Sequence, residues 1–357
     1  MFKRFVSCAL LISLVVVSLC SCAKQNEQQA EALNKYSQNF LHYFDTVSTI
    51  VGFDKDEEAF KKNCEFIEAE LKTYNELYDI YKDYEGINNI RTINKNAGKA
   101  PVKVDKKIID LLDYCVELYT LTKGKTNVAM GSVLSIWHEY REKYSDYHPN
   151  AELPSMEELK AAAMHMDIND VVIDRENSTV FLKDRDMSLD VGAVAKGYAT
   201  EQIAKALEAK GVVHYTLNIG GNIRTLGPKG DENRSPWITA VAMSDTTGNG
   251  ENTVRVNLSG EAFVTSGSYQ RYYTVDGKDY HHIIDPETLM PKFDFISISI
   301  CCKDSGLADA LSTATFNMSF EEGKALIDSL DGVEAMWITS DGELLYSENF
   351  DEIIYEE

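Results

Sequence analysis

Between residues 215 and 301, six short apolar segments follow one another with no helical repeat between them, and this run constrains the fold most. They cover residues 215–219, 237–242, 253–258, 262–265, 272–275 and 295–301. Parallel neighbours need a crossover of a dozen or more residues, usually a helix, so strands spaced like these pair mostly antiparallel. Strands gathered in one stretch and helices in others make an α+β architecture, not a doubly wound sheet.

The helices lie to either side of this run. In residues 57–78, Phe60, Cys64, Ile67, Leu71, Tyr74 and Tyr78 step by four and three, the mark of one apolar helix face. A second helix starts after Asp105, which suits an N-cap, turns Ile108, Leu111, Leu112, Cys115, Leu118 and Tyr119 inward, and stops near Gly124. Residues 171–173 and 179–182 flank a polar turn and read as a hairpin. Further helices are expected at 198–210, 307–318 and 321–329, and a closing strand pair at 335–338 and 344–346. No repeat or low-complexity linker divides residues 43–357, which are read as a single large domain.

The N-terminal segment has a different character. Lys3 and Arg4 precede an apolar run from Ala9 to Leu19, too short to span a bilayer and suited to a cleaved signal. The run closes on Leu19-Cys20-Ser21-Cys22, which looks like a bacterial lipobox with Cys22 as the lipidated residue. Residues 1–21 are then a signal peptide and 22–42 a polar tether, and the protein is anchored by lipid on the exported face of a membrane. An ordinary secretory signal cleaved nearby is the alternative.

Composition narrows the ligand. A net charge of −22 over 357 residues argues against a nucleic-acid surface, which needs clustered Lys and Arg. An anionic ligand must be held by local devices: a metal ion, backbone N–H groups or single cations. Of seven cysteines, Cys8 and Cys20 leave with the signal, and Cys64, Cys115, Cys301 and Cys302 remain beside Cys22 at no metal-ligand spacing. Cys64 and Cys115 fall on helix stripes, as buried thiols do.

Four polar clusters sit where strands or helices end. Asp190-Val191-Gly192-Ala193-Val194-Ala195-Lys196-Gly197-Tyr198-Ala199 opens a helix, where free N–H groups and Lys196 suit a phosphate, although taken alone a tight strand-to-helix turn explains it better. Asn218-Ile219-Gly220-Gly221-Asn222-Ile223-Arg224 is a glycine turn or a loop under a ligand. Thr265-Ser266-Gly267 is followed by His281-His282-Ile283-Ile284-Asp285-Pro286, where adjacent side chains face opposite ways and only one histidine can enter a site. Asp285 could orient that histidine or simply start a turn. In Ala308-Asp309-Ala310-Leu311-Ser312-Thr313 a carboxylate and a hydroxyl stand one helical turn apart, which suits Mg²⁺ or a dipole-stabilising Asp.

In this order the motifs resemble the ApbE family, FAD:protein FMN transferases, over a stretch running from Phe44 to the C-terminus. The resemblance implies an enzyme that uses Mg²⁺ to move FMN from FAD onto a Thr or Ser hydroxyl of an acceptor flavoprotein, releasing AMP. It implies Mg²⁺ on the Ala193 carbonyl, Asp309 and Thr313, and FAD against Asp190, Lys196 and Ile283, with His282 as the catalytic base. Ala129, Met130 and Gly131 fall in the place of the family's D-P-[ST]-V-G-P segment, and Tyr81 in that of an aromatic near the flavin. The same site could serve an FAD pyrophosphatase or, without chemistry, a flavin-binding lipoprotein. Three departures stand out: Phe44-Asp45-Thr46 replaces M-G-T, both prolines of the Ala129 segment are missing, and Leu289 stands where a Gly is usual.

Overall fold

The computed structural model describes residues 33–144, 148–241 and 254–356. The signal peptide, Cys22, residues 23–32, and positions 242 and 253 of two expected strands lie outside the described residues. The first third of the chain comprises β1 (Asn34–Leu41), β2 (Val47–Asp54), α1 (Glu57–Tyr78), α2 (Ile90–Lys95), β3 (Val102–Lys103) and α3 (Lys106–Leu121). Then come α4 (Gly131–Lys143), α5 (Met156–Ala163), β4 (Val171–Asp174), β5 (Thr179–Leu182) and α6 (Ala195–Glu208). The strand-rich part holds β6 (Tyr215–Ile219), β7 (Asn222–Leu226), β8 (Trp237–Val241), β9 (Val254–Leu258), β10 (Ala262–Gly267), β11 (Tyr272–Val275), β12 (Lys278–His281) and β13 (Phe295–Cys302). The last elements are α7 (Ser305–Phe316), α8 (Phe320–Asp328), β14 (Glu334–Thr339) and β15 (Leu344–Tyr346).

Among the described residues eight strands make the central sheet in the order β1-β2-β6-β7-β10-β13-β14-β15, with antiparallel neighbours throughout. Period-two alternation sends side chains to two cores. Val264, Ile300, Ala335 and Trp337 pack beneath α7, while Phe263, Cys301, Met336 and Ile338 pack with β8, β9 and Phe350 on the opposite face. Helices α1, α3 and α6 cover Ile50, Leu217 and Ile219 farther along the sheet. The α1 stripe is buried as its spacing predicts, and the Asp56 carboxylate caps the helix by accepting the Ala59 N–H at 2.8 Å. Cys64 and Cys115 are buried free thiols on those helices.

The sequence reading and the structure differ in several places: β2, β3, β12 and α2 have no counterpart among the expected elements, and three further differences stand out. Residues 34–41, assigned to the tether, form strand β1, paired with β2 from Asn34↔Asp54 to Leu41↔Val47. This edge strand buries little besides Phe40, so it lacks an apolar alternation to read. Residues 222–226 form β7, because Gly220 (φ 57°) and Gly221 (φ 92°) close a two-residue hairpin turn. Helices α4 and α5 were unread. Their apolar residues build a satellite core, in which Met130, Val133, Trp137 and Leu159 pack on Tyr273, Val275, Ile284 and Leu289.

Candidate active site

A cavity of about 490 Å³ opens between the α6–α7 junction and the satellite core. That volume lies within the range of small-molecule sites. Helix α6 starts at Ala195, three residues earlier than expected, so Lys196 and Gly197 belong to its first turn. Gly197 is there because nothing larger fits: a Cβ would stand 2.3 Å from the Ser305 carbonyl oxygen and 2.5 Å from the Asp309 Cβ. This contact brings the start of α6 against the start of α7 and sets Asp309, 4% exposed, under the cavity.

The Gly197 N–H donates to Asp309 Oδ2 at 2.8 Å, and the Lys196 ammonium stands 3.7 Å from Oδ1. Burial raises the Asp309 pKa, against the pull of Lys196 and the Gly197 N–H. The expectation that this helix start keeps its N–H groups for a ligand therefore needs correction, since Gly197 commits its own to the protein. Among the described residues the Ala193 carbonyl accepts no hydrogen bond and the Thr313 hydroxyl makes none, while Ser312 Oγ donates to the Asp309 carbonyl at 2.8 Å. Ala193, Asp309 and Thr313 all line the cavity. A carbonyl, a hydroxyl and a buried carboxylate are oxygen donors of the kind Mg²⁺ prefers, so these residues fit that ion.

The other end of the cavity is built on β12 and α4. The two histidines part as the strand geometry predicts. His281 is buried, with Nε2 donating to the Lys292 carbonyl at 2.6 Å and Nδ1 accepting the Ile283 N–H at 3.2 Å. His282 lines the cavity, and its Nδ1 lies 3.3 Å from the Arg271 carbonyl. A carbonyl only accepts, so the proton sits on Nδ1 and the Nε2 lone pair is open. Burial, then Arg271 and Arg141, holds the His282 pKa down to about 3.

Asp285 does not orient this ring. Its carboxylate binds Lys125 at 3.0 Å, the Glu287 N–H at 3.2 Å and the Thr288 hydroxyl at 3.1 Å, which makes it the anchor of a turn.

Asp190, Ile283, Met130 and Tyr81 also line the cavity. The Asp190 carboxylate accepts the Gly192 N–H at 2.9 Å, and burial raises its pKa. Burial and the nearby Asp190 push the Tyr81 phenol up to about 12. Ala129 and Gly131 are not in the lining. Ala129 is fully buried in the main core, and Gly131 starts α4 against the Ser188 carbonyl, which its N–H meets at 2.9 Å. A Cβ at Gly131 would stand 2.5 Å from that carbonyl oxygen, so glycine lets the helix start there.

Sequence reasoning missed His138, Arg141 and Arg271, all in the lining. Arg141 donates to His138 Nδ1 at 2.8 Å, and the Tyr81 ring packs on His138 at 4.9 Å between centroids. The spacing of Leu134, His138 and Arg141 on one helix face was the available signal.

Fold and cavity together define the class: an α+β protein whose ligand cavity carries oxygen donors and a lysine at one end, and an imidazole with two guanidinium groups at the other. The ApbE family model matches residues 44–337, and the chain belongs to that family. It is 34% identical over 263 residues to the FAD:protein FMN transferase of Treponema pallidum, covering 71% of each chain. It is 26% identical over 280 residues to that of Klebsiella pneumoniae, covering 76% of this chain and 83% of that protein. Among solved structures, the ApbE protein of Thermotoga maritima aligns with a TM-score of 0.76 at 27% identity, over 90% of this chain and all of that one. The Vibrio cholerae flavin transferase ApbE, at 22% identity and a TM-score of 0.74, shares the fold.

Proposed function

We propose that this protein transfers FMN from FAD onto a Thr or Ser hydroxyl of an acceptor flavoprotein and releases AMP. The observation that carries this reading is that the Ala193, Asp309 and Thr313 residues, which together offer a carbonyl, a carboxylate and a hydroxyl, line the same cavity as Lys196 and His282. Bound there, Mg²⁺ would offset charge on the FAD diphosphate and stabilise the departing AMP phosphate.

The chain's own groups account for the rest. Lys196 supplies a second positive charge beside the diphosphate. The acceptor oxygen attacks the FMN-side phosphorus, a P–O bond forms, the bond to the AMP phosphate breaks, and the hydroxyl proton passes to His282 Nε2. His282 is neutral at physiological pH, and the anionic diphosphate would raise its basicity once bound. Tyr81, Ile283 and Met130 offer apolar surface for the flavin. Cys22, carrying lipid, would hold the enzyme on the exported face of a membrane. Replacing Cys22 with Ser removes the thioether sulfur and should leave a protein without diacylglycerol by mass spectrometry.

The deciding experiment incubates the purified protein with FAD and Mg²⁺, with and without a candidate acceptor flavoprotein. Transfer predicts acceptor-dependent AMP release and an acceptor heavier by one FMN less water. Rapid cleavage to free FMN without acceptor would instead mean an FAD pyrophosphatase, and intact bound FAD a non-catalytic flavin carrier.

A further inference from the structure

The central sheet is notched where it meets the cavity. Strand β10 pairs with β13 along its whole length, from Ala262↔Cys302 to Gly267↔Ser297. On its other side the pairing with β7 covers only Ala262↔Arg224 to Val264↔Asn222, because β7 begins at the Gly220-Gly221 turn. Strand β10 therefore overhangs by Thr265, Ser266 and Gly267, and all three line the cavity with Gly220.

The flanking hydrogen bonds give the direction of the exposed main chain. The Thr225 N–H donates to the Glu261 carbonyl at 2.9 Å, so odd-numbered residues of β10 serve the β7 side. The Ser268 N–H donates to the Ile296 carbonyl at 2.9 Å, so even-numbered residues serve β13. Thr265 and Gly267 thus turn their N–H and C=O groups into the notch. By register Gly221 would stand opposite Thr265, but its N–H is taken by Asn218 Oδ1 at 3.0 Å. Among the described residues no main-chain partner meets either overhanging residue from that side.

The overhang is also held firmly beside the reacting groups. Thr265 Oγ1 bonds Ser299 Oγ at 2.8 Å, and Ser266 Oγ bonds Ser312 Oγ at 2.7 Å. Ser312 in turn donates to the Asp309 carbonyl, which ties the strand to the helix that carries Asp309 and Thr313. An open sheet edge is a template for an extended chain. A protein-modifying transferase must bring a Thr or Ser hydroxyl up to the diphosphate, and with so short a side chain the main chain that carries it comes close as well; this edge is a place in the cavity shaped for a main chain.

Building on the transferase reading above, we propose that the acceptor's hydroxyl-bearing segment binds as a short extended strand on the β10 edge, paired to Thr265 and Gly267. Main-chain pairing then sets the distance of the acceptor oxygen.

The test uses the full protein, FAD, Mg²⁺ and a nonapeptide library with a fixed central Thr, read by the mass gain of FMN. The best acceptor is resynthesised with one N-methyl group at each position in turn, which deletes a single N–H donor. A strand on this edge predicts alternation: methylation at the two positions, two residues apart, that face the Thr265 and Gly267 carbonyls raises KM about tenfold at each, the worth of one hydrogen bond, with kcat near the parent value. The positions between stay near the parent. Hydrogen exchange of the Thr265 and Gly267 amides should slow only when the peptide is added to the FAD complex. Transfer with no alternation overturns the strand and leaves the transferase reading standing. Full protection of both amides by FAD alone also overturns it, because the edge then belongs to the dinucleotide. If neither the library nor any acceptor protein gains FMN, the transferase reading fails and the strand falls with it.

Discussion

The two ends of the cavity are held by different means. At the α6–α7 junction the parts are fixed by backbone contact: Gly197 sits against the Ser305 carbonyl, and its N–H holds the Asp309 carboxylate. Nearby, the Ser305 N–H donates to Glu201 at 2.9 Å, and Arg224 binds the same carboxylate at 2.9 Å with 6% of its side chain exposed. At the far end the groups hang on side chains of the satellite core. The Arg141 side chain bonds His138, and the Tyr81 ring, half exposed, leans on the same histidine. A junction closed by main chain can hold an ion to fractions of an ångström, whereas an end closed by long side chains can adjust to a bulky planar ligand.

If that contrast is right, substitutions at the two ends should differ in scale. Asp309→Ala removes the carboxylate of the donor set and should cut acceptor-dependent AMP release at least about a hundredfold. Its melting temperature should stay within a few degrees of the parent. Arg141→Gln or Arg271→Gln should cost about tenfold or less, mostly in KM. Equal losses at both ends would break the comparison.

Leu289 occupies a left-handed backbone position (φ 61°) and is nonetheless buried, while its carbonyl accepts the Trp137 indole N–H at 3.0 Å. The apolar contact offsets backbone strain of about 1 kcal/mol. Leu289→Gly relieves the strain but loses the packing, so a net destabilisation of about 2 kcal/mol is expected by urea titration. A gain in stability would mean that the satellite core does not need this side chain.

The same contrast explains what could be read from the sequence. Close backbone contacts demand Gly, Ala and Asp at fixed offsets, so the junction left the short motifs around Gly197 and Asp309 on which the family resemblance rests. The paired glycines showed the β6–β7 turn, but not that a strand follows it. Helix α4 was invisible because its interior side mixes Leu134 and Trp137 with His138 and Arg141, which blurs an apolar stripe. Arg271 lies just before β11, and only the fold brings it to His282. Of the two readings left open for Asp285, the turn holds, and its partner Lys125 lies 160 positions away.

A third, smaller effect is a pH dependence. His282 has a folded pKa near 3, below the ordinary histidine value of about 6.5. The unfolded chain therefore binds a proton that the folded chain refuses between those values, and stability is lost as pH falls from about 6.5 toward 3. His282→Gln removes this term. The gap between the wild-type and variant melting temperatures should shift against the wild type between pH 7 and pH 4.5. Arg271→Gln weakens the repulsion and should move the acid limb of turnover to higher pH. An unmoved limb would mean that Arg271 does not govern this histidine.

The smallest effect separates the two left-handed positions, Asp45 and Leu289, at which the family resemblance leads one to expect glycine. Asp45, like Leu289, has a left-handed backbone (φ 52°), in a turn where the Thr46 N–H donates to the Tyr43 carbonyl at 3.2 Å and the Phe44 N–H donates to Asn75 Oδ1 at 2.7 Å. Phe44 and Asp45 line the cavity, but Asp45 is exposed and packs against no core. Nothing comparable to the Leu289 contacts offsets its strain. Asp45→Gly relieves about 1 kcal/mol of backbone cost and loses part of that to the greater freedom of glycine in the unfolded chain. The balance should be a stabilisation of about 0.5 kcal/mol, opposite in sign to Leu289→Gly. Removing a carboxylate from the cavity mouth should also lower KM for the anionic FAD, by about threefold or less. Urea titration of both variants tests the pair. If Asp45→Gly destabilises as Leu289→Gly does, the Asp45 side chain supports the turn, and the two left-handed positions follow one rule instead of two.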